Sequence, residues 1–149
     1  MVYKSPIGML SIELTNDFVT QVVFVDSERN IQNPLNELEK IAWTQLEDYF
    51  LGKRKYFSLP LLTEGTQFQK AAWQALTLIP YGQTRCYSEQ AAMLGKPKAA
   101  RAVGHANNKN PLPIFIPCHR IIGKSGELVG YGGGLWRKQW LLDHEQKYL

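Results

Sequence analysis

Apolar and polar positions alternate with a period of two over the first 25 residues. Val2-Tyr3-Lys4-Ser5, Met9-Leu10-Ser11-Ile12-Glu13-Leu14 and Val19-Thr20-Gln21-Val22-Val23-Phe24-Val25 are rich in branched side chains, which suit a half-buried pleated surface. Pro6-Ile7-Gly8 and Asn16-Asp17 interrupt them with turn-forming residues. The pattern predicts three strands in a small antiparallel meander. The period then lengthens. Asn33 and Pro34 read as an N-cap and first helical position. Leu35, Leu38, Ile41, Ala42, Leu46, Tyr49 and Phe50 follow on one helical face until Gly52 stops the helix.

Helical spacing dominates from Gly65 onward. Thr66 and Gln69 have the spacing of a capping box, ahead of Phe68, Ala72, Trp73, Ala75, Leu76 and Ile79 on an apolar face closed by Pro80. A short helix over residues 88–94 leads through Gly95-Lys96-Pro97 into a second over residues 98–107. Helix, glycine-containing turn, helix is the layout of a helix-turn-helix, although such pairs also occur as simple packing hairpins. A last helix spans residues 135–147. The fold class is α+β: a small N-terminal antiparallel sheet plus helix, domain 1–62, then a mainly helical domain 63–149. No repeat or low-complexity segment interrupts either part, and the glycines at 130–134 lack dinucleotide or phosphate-loop spacing.

Composition narrows the partners. With 44% hydrophobic residues among 149, the chain can bury a core without metal or disulfide staples. The two cysteines, Cys86 and Cys118, are expected as free thiols in a reducing cytoplasmic setting. No leader and no apolar run of roughly 20 residues is evident. Residues 1–62 carry six Lys/Arg against eight Asp/Glu, a net of −2, whereas residues 63–149 carry eleven against five, a net of +6. The basic half favours a polyanionic partner such as nucleic acid, with ordinary solubility charge as the alternative.

The chemistry concentrates at Pro117-Cys118-His119-Arg120, which ends the apolar run Pro113-Ile114-Phe115-Ile116. A thiol attacks as thiolate, and an unperturbed cysteine is only about 3% ionised at neutral pH. Either an adjacent base or a positive field could supply the missing reactivity. Cys-His adjacency alone says little. Its context says more: Asn110-Pro111 lies upstream, Gly130-Tyr131-Gly132-Gly133-Gly134-Leu135 follows, and His144-Glu145 comes near the end. Read together, these resemble the O6-alkylguanine-DNA alkyltransferases, from about Gly65 to Glu145.

The resemblance implies DNA repair by irreversible alkyl transfer from O6-alkylguanine, with O4-alkylthymine a further candidate, to Cys118. It implies a winged-helix-like helix-turn-helix that binds double-stranded DNA in the minor groove with little sequence specificity. Arg101 would stand in for the extruded base, with Lys98, Ala99 and Ala102 against the groove. Three alanines and a glycine with one long cationic arm, in Lys98-Ala99-Ala100-Arg101-Ala102-Val103-Gly104, also fit sequence-independent binding better than base reading. His119 would take the thiol proton through a water, and Glu145 would orient that imidazole. Tyr87 would donate to the purine N3, Tyr131 and Pro113 would line the base slot, and the Gly132 amide would face O6. Asn110 would hold the turn before the active-site strand. Lys138 and Arg120 are lesser candidates for local electrostatics, Arg120 with a structural reading beside it. His105 and His144 are expected at the surface.

No cofactor is expected. No metal is expected either, because Cys86, Cys118 and His119 lack paired-ligand spacing. A monomer is expected in the absence of DNA. Three rivals stand beside this reading. A non-catalytic alkylated-DNA-binding protein would lack Cys118, an alkylation-sensing regulator would need a further sequence-reading domain, and a cysteine hydrolase would leave the helix pair unexplained.

Overall fold

The computed structural model describes residues 1–25 and 31–149. They form two compact units: Met1–Thr63 with Tyr148, and Glu64–Lys147 with Leu149.

In the first unit, β1 (Val2–Ser5), β2 (Gly8–Thr15) and β3 (Phe18–Val25) make an antiparallel sheet in the order β1-β2-β3. The strands and both turns lie where the alternation put them. Ser5 closes the first turn, accepting from the Ile7 amide at 3.2 Å and donating to the Gly8 carbonyl at 2.6 Å. Asn16 supplies the second at φ +54°, a left-handed conformation asparagine tolerates. Leu10, Ile12, Val19 and Val22 turn inward. Helix α1 (Glu37–Phe50) adds Ala42, Leu46, Tyr49 and Phe50 to the same core.

The start of α1 differs from expectation. Asn36, not Asn33, is the cap, and its Oδ1 accepts from the Glu39 amide at 2.8 Å. Glu39 reaches back to the Leu35 amide at 3.3 Å. The Asn36 cap and the Glu39–Leu35 bond beside it fix the boundary three residues beyond the Asn33-Pro34 signal. Leu35 therefore precedes the helix and is 87% exposed, and Ile41 also faces solvent.

The second unit is mainly helical. Helix α2 (Gln67–Leu76) begins with the expected Thr66–Gln69 capping box and ends at Leu76, with turns carrying the chain on to Pro80. Strand β4 (Arg85–Cys86) runs directly into α3 (Tyr87–Met93), and α4 (Ala100–Asn108) follows. Gly95, at φ +73°, makes the intervening turn. Lys98 and Ala99 lie in that turn and not in the helix, because Pro97 delays its start and the Ala99 amide bonds back to the Lys96 carbonyl. Strand β5 (Ile121–Ile122) pairs in parallel with β4, and α5 (Leu135–Lys147) closes the unit. Among the described residues no helix is long and apolar enough to cross a membrane.

Candidate active site

The short β4–β5 pairing builds the site. Arg85 pairs with Ile121 and Cys86 with Ile122. Tyr87, first residue of α3, and Cys118, in the 3-10 turn Cys118–Arg120 before β5, are thereby carried by adjoining strands. The approach to Cys118 is tightly wound. Ile114 holds φ +76°, an outlier for a branched residue, while being almost fully buried. Such a conformation costs on the order of 1–3 kcal/mol and persists only where its surroundings over-determine it. The surroundings here are specific: the Ile116 amide bonds the Leu112 carbonyl, and the Cys118 amide bonds the Ile116 carbonyl, both at 2.8 Å. Asn110 clasps the same loop, donating to the Ile116 carbonyl and accepting from the Leu112 amide, each at 2.9 Å.

Burial pushes the Cys118 thiol above its ordinary value, and hydrogen bonding from Asn110 and the charge of Lys138 only partly oppose it. Of the two routes to reactivity open in the sequence, a lowered thiol pKa and a local base, the surroundings favour the base.

The adjacent imidazole, His119, is fully buried. Its Nε2 lies 2.8 Å from Glu145 Oε2. An ionised carboxylate only accepts, so Nε2 carries the proton and Nδ1 is left with a lone pair. Nδ1 is buried and has no hydrogen-bond partner among the described residues. Burial holds the ring below its ordinary pKa against the pull of Glu145, which keeps it neutral and able to accept. Glu145 also accepts from Arg120 Nε at 2.9 Å, Arg120 Nη2 at 3.0 Å and the Gly82 amide at 3.1 Å. Burial raises this carboxyl, but His119 and Arg120 outweigh that and hold it well below the usual carboxylate range. Arg120 further donates to the Ile79 carbonyl at 2.7 Å. It is a buried anchor for Glu145. The Gly82 amide had no signal in the sequence.

Lys138 is wholly buried, and its Nζ donates to the Val129 carbonyl at 2.8 Å. Burial lowers its pKa to about 8, with Cys118 pulling the other way, so it remains mostly cationic at neutral pH. The Tyr87 hydroxyl donates to the same Val129 carbonyl at 3.1 Å. Burial and the neighbouring Cys118 raise the Tyr87 phenol, keeping it a donor. Burial does the same to Tyr131, whose hydroxyl is enclosed. The backbone here tolerates little: Gly130 sits at φ +60°, and a Cβ on it would lie 3.3 Å from the Tyr87 hydroxyl.

Cys118, Asn110, His119, Glu145, Lys138, Tyr87 and Tyr131 thus form one connected group. Pro113 is half-buried in the loop leading to Cys118, and Gly132 is exposed. The DNA candidates lie on and just before α4. Arg101, Ala102 and Lys98 are exposed and Ala99 half-buried. Arg101 and Tyr87 both line an open depression of about 340 Å³, bounded also by Gly104, His105 and Asn108. His105 is exposed as expected, but His144 is not: it is buried and stacks on Trp140 with ring centroids 4.8 Å apart. Both cysteines are free thiols. Among the described residues no group of three or more His, Cys, Asp or Glu could hold a metal ion.

The family model described as 6-O-methylguanine DNA methyltransferase, DNA binding domain, matches residues 67–147. The methylated-DNA–protein-cysteine methyltransferase of Methanosarcina barkeri is 45% identical over 153 residues, covering 99% of this chain and 97% of its own. The constitutive protein of that name from Bacillus subtilis is 49% identical over 138 residues, covering 87% of this chain and 84% of its own. The crystal structure of Mycobacterium tuberculosis OGT in complex with DNA matches at a TM-score of 0.89 with 42% identity, covering 99% of this chain and 92% of that one.

Proposed function

The chain belongs to the O6-methylguanine-DNA methyltransferase family, and from that premise we propose which of its residues carry the reaction. The protein is a DNA-repair methyltransferase that moves the alkyl group of O6-alkylguanine in DNA onto its own cysteine. The observation that supports Cys118 as that cysteine is the unpartnered, buried Nδ1 of His119 next to it, held in the basic tautomer by Glu145.

The Cys118 thiol gives its proton, through a bridging water, to His119 Nδ1. Sulfur attacks the alkyl carbon, the carbon–O6 bond breaks, and the electron pair leaves on guanine. The Tyr87 hydroxyl exchanges the Val129 carbonyl for the purine N3 and gives up its proton as O6 departs, which improves the leaving group. Lys138, held against the Val129 and Gly130 carbonyls, supplies positive charge beside the developing thiolate. Pro113 and Tyr131 line the base slot, and the Gly132 amide meets O6. The thioether has no hydrolytic exit, so one molecule repairs one lesion.

We assign the alkyl-acceptor and DNA-binding work to the second unit. DNA lies along α4 with the minor groove against Ala102, Ala99 and Lys98, and Arg101 fills the gap left by the extruded nucleotide. Contacts through small side chains and one cation carry little base information, so binding is nearly sequence-independent. The free protein is monomeric, and its free thiols suit the reducing cytoplasm.

Incubation with excess O6-methylguanine DNA tests the assignment: one methyl group, about 14 mass units, is expected on the peptide containing Cys118, with none on Cys86. Continuing turnover, or methyl on Cys86, would overturn it. A separate expectation concerns Arg101. Extrusion costs a few kcal/mol, and each 1.4 kcal/mol is tenfold, so Arg101→Ala is expected to slow duplex repair by at least about tenfold more than it slows reaction with free O6-benzylguanine. Equal losses on the two substrates would place Arg101 in chemistry or folding.

A further inference from the structure

Gln90 and Asn107 meet where α2, α3 and α4 join. Gln90 Nε2 donates to Asn107 Oδ1 at 2.9 Å, and Asn107 Nδ2 donates back to Gln90 Oε1 at 2.8 Å. Gln90 Nε2 also donates to the Ala72 carbonyl of α2 at 3.1 Å, and Trp73 Nε1 of α2 donates to the Ala106 carbonyl at 2.8 Å. Gln90 is 0% and Asn107 9% exposed. Apolar side chains would hold these helices together equally well. A reciprocal amide pair adds direction, because two antiparallel hydrogen bonds fix both separation and rotation, whereas packed methyls slide.

What the pair fixes is informative. Tyr87 begins α3, three residues before Gln90. Arg101 lies in the first turn of α4 and Asn107 near its last residue, roughly 9 Å apart along the axis. The Asn110 amide bonds the Asn107 carbonyl at 3.1 Å, so the clasp over the Cys118 loop starts beside the clamped end. Helix α4 is therefore held near its C-terminus, and its other end carries the arm. A swing of about 10° about the clamp would move Arg101 by roughly 1.6 Å while leaving Asn110 nearly in place.

We propose that the Gln90–Asn107 amide pair is a positioning device for base extrusion, aiming Arg101 relative to Tyr87 so that arm and slot address the same nucleotide. The proposal rests on the reading of Arg101 as the extruding arm. It separates duplex repair from chemistry on a free base, which needs the slot alone.

Single-turnover kinetics of Gln90→Met/Asn107→Leu, a shape-conserving apolar pair, test it. The maximal rate on O6-methylguanine duplex is expected to fall roughly ten- to hundredfold, as for a misplacement of an ångström or so. The half-saturating DNA concentration and the rate with free O6-benzylguanine are expected to change little. The swapped pair, Gln90→Asn/Asn107→Gln, restores amide-to-amide bonding and is expected to recover most of the duplex rate. Should the apolar pair not fold, Asn107→Ser, which admits water beside Gln90, is expected to show the same duplex-selective loss. Equal losses on both substrates, or none, in a folded variant overturn the proposal. Arg101→Ala run alongside separates the two ideas. If it is duplex-selective and the folded amide variants are not, only the amide proposal fails; if it shows no selectivity, both fail.

Discussion

Cys118→Ser is expected to lose alkyl transfer altogether, a fall of at least about 10⁴-fold, comparable to deleting the nucleophile of other covalent catalysts. The loss follows from the surroundings of the sulfur as much as from the atom itself. Burial already holds the thiol above its ordinary pKa, and a hydroxyl starts several units higher. His119 is a neutral imidazole that burial makes a weak base, able to draw a proton from a polarisable thiol but not from a buried alcohol. Folding and DNA binding should be spared. Serine is close to isosteric, and the α4 residues assigned to DNA, Arg101 and Ala102, are exposed and untouched by the change. Two measurements check this: binding of O6-methylguanine duplex, expected to match the parent, and mass after long incubation, expected to show no added methyl. Any stoichiometric methylation of the serine variant would put the acceptor elsewhere.

Legibility in the sequence followed the range of the interactions involved. The three strands, the Thr66–Gln69 box and the helix-glycine-helix layout rest on neighbours a few residues apart, so periodicity and turn chemistry expose them. The start of α1 is less legible because two asparagines compete. Asn33 precedes a proline, but Asn36 caps the Glu39 amide while the Glu39 carboxylate accepts from the Leu35 amide one residue earlier, and that arrangement prevails. At the site, the motif around Cys118 points to the candidate side chains but not to their state. That the thiol is raised and not lowered depends on burial, which no local pattern records. The Gly82 amide on Glu145 spans 63 residues, and the Gln90–Asn107 pair spans 17. His144 looks like a surface residue until Trp140, one turn back on α5, covers it. Gln90 carried a faint signal, a polar residue beside Ala91 on the face of α3 that packs inward.

Glu145→Gln is expected to slow methyl transfer by about 10²- to 10⁴-fold, the usual contribution of a positioned proton-transfer pair. Glu145 accepts from His119, twice from Arg120 and from Gly82. An amide offers one acceptor oxygen and turns two N–H groups toward the remaining donors. Either His119 loses the contact that fixes its tautomer, or the buried Arg120 loses its counter-charge. Leaving one member of such a pair uncompensated costs on the order of 3–5 kcal/mol, so the rate must be scaled to the folded fraction. The pH dependence of melting gives an independent check. His119 is held below its ordinary 6.5, so below that pH the unfolded chain binds a proton the folded one refuses, and stability falls as pH drops. Glu145 is depressed from 4.5; its stabilisation is complete above that value and is lost as pH falls below it. The parent should show both acid limbs. The variant should keep the first, since removing Glu145 only disfavours the charged imidazole further, and should lack Glu145's share of the second. A folded Glu145→Gln protein that reacts at the parent rate would remove the His119–Glu145 pair from the proton path.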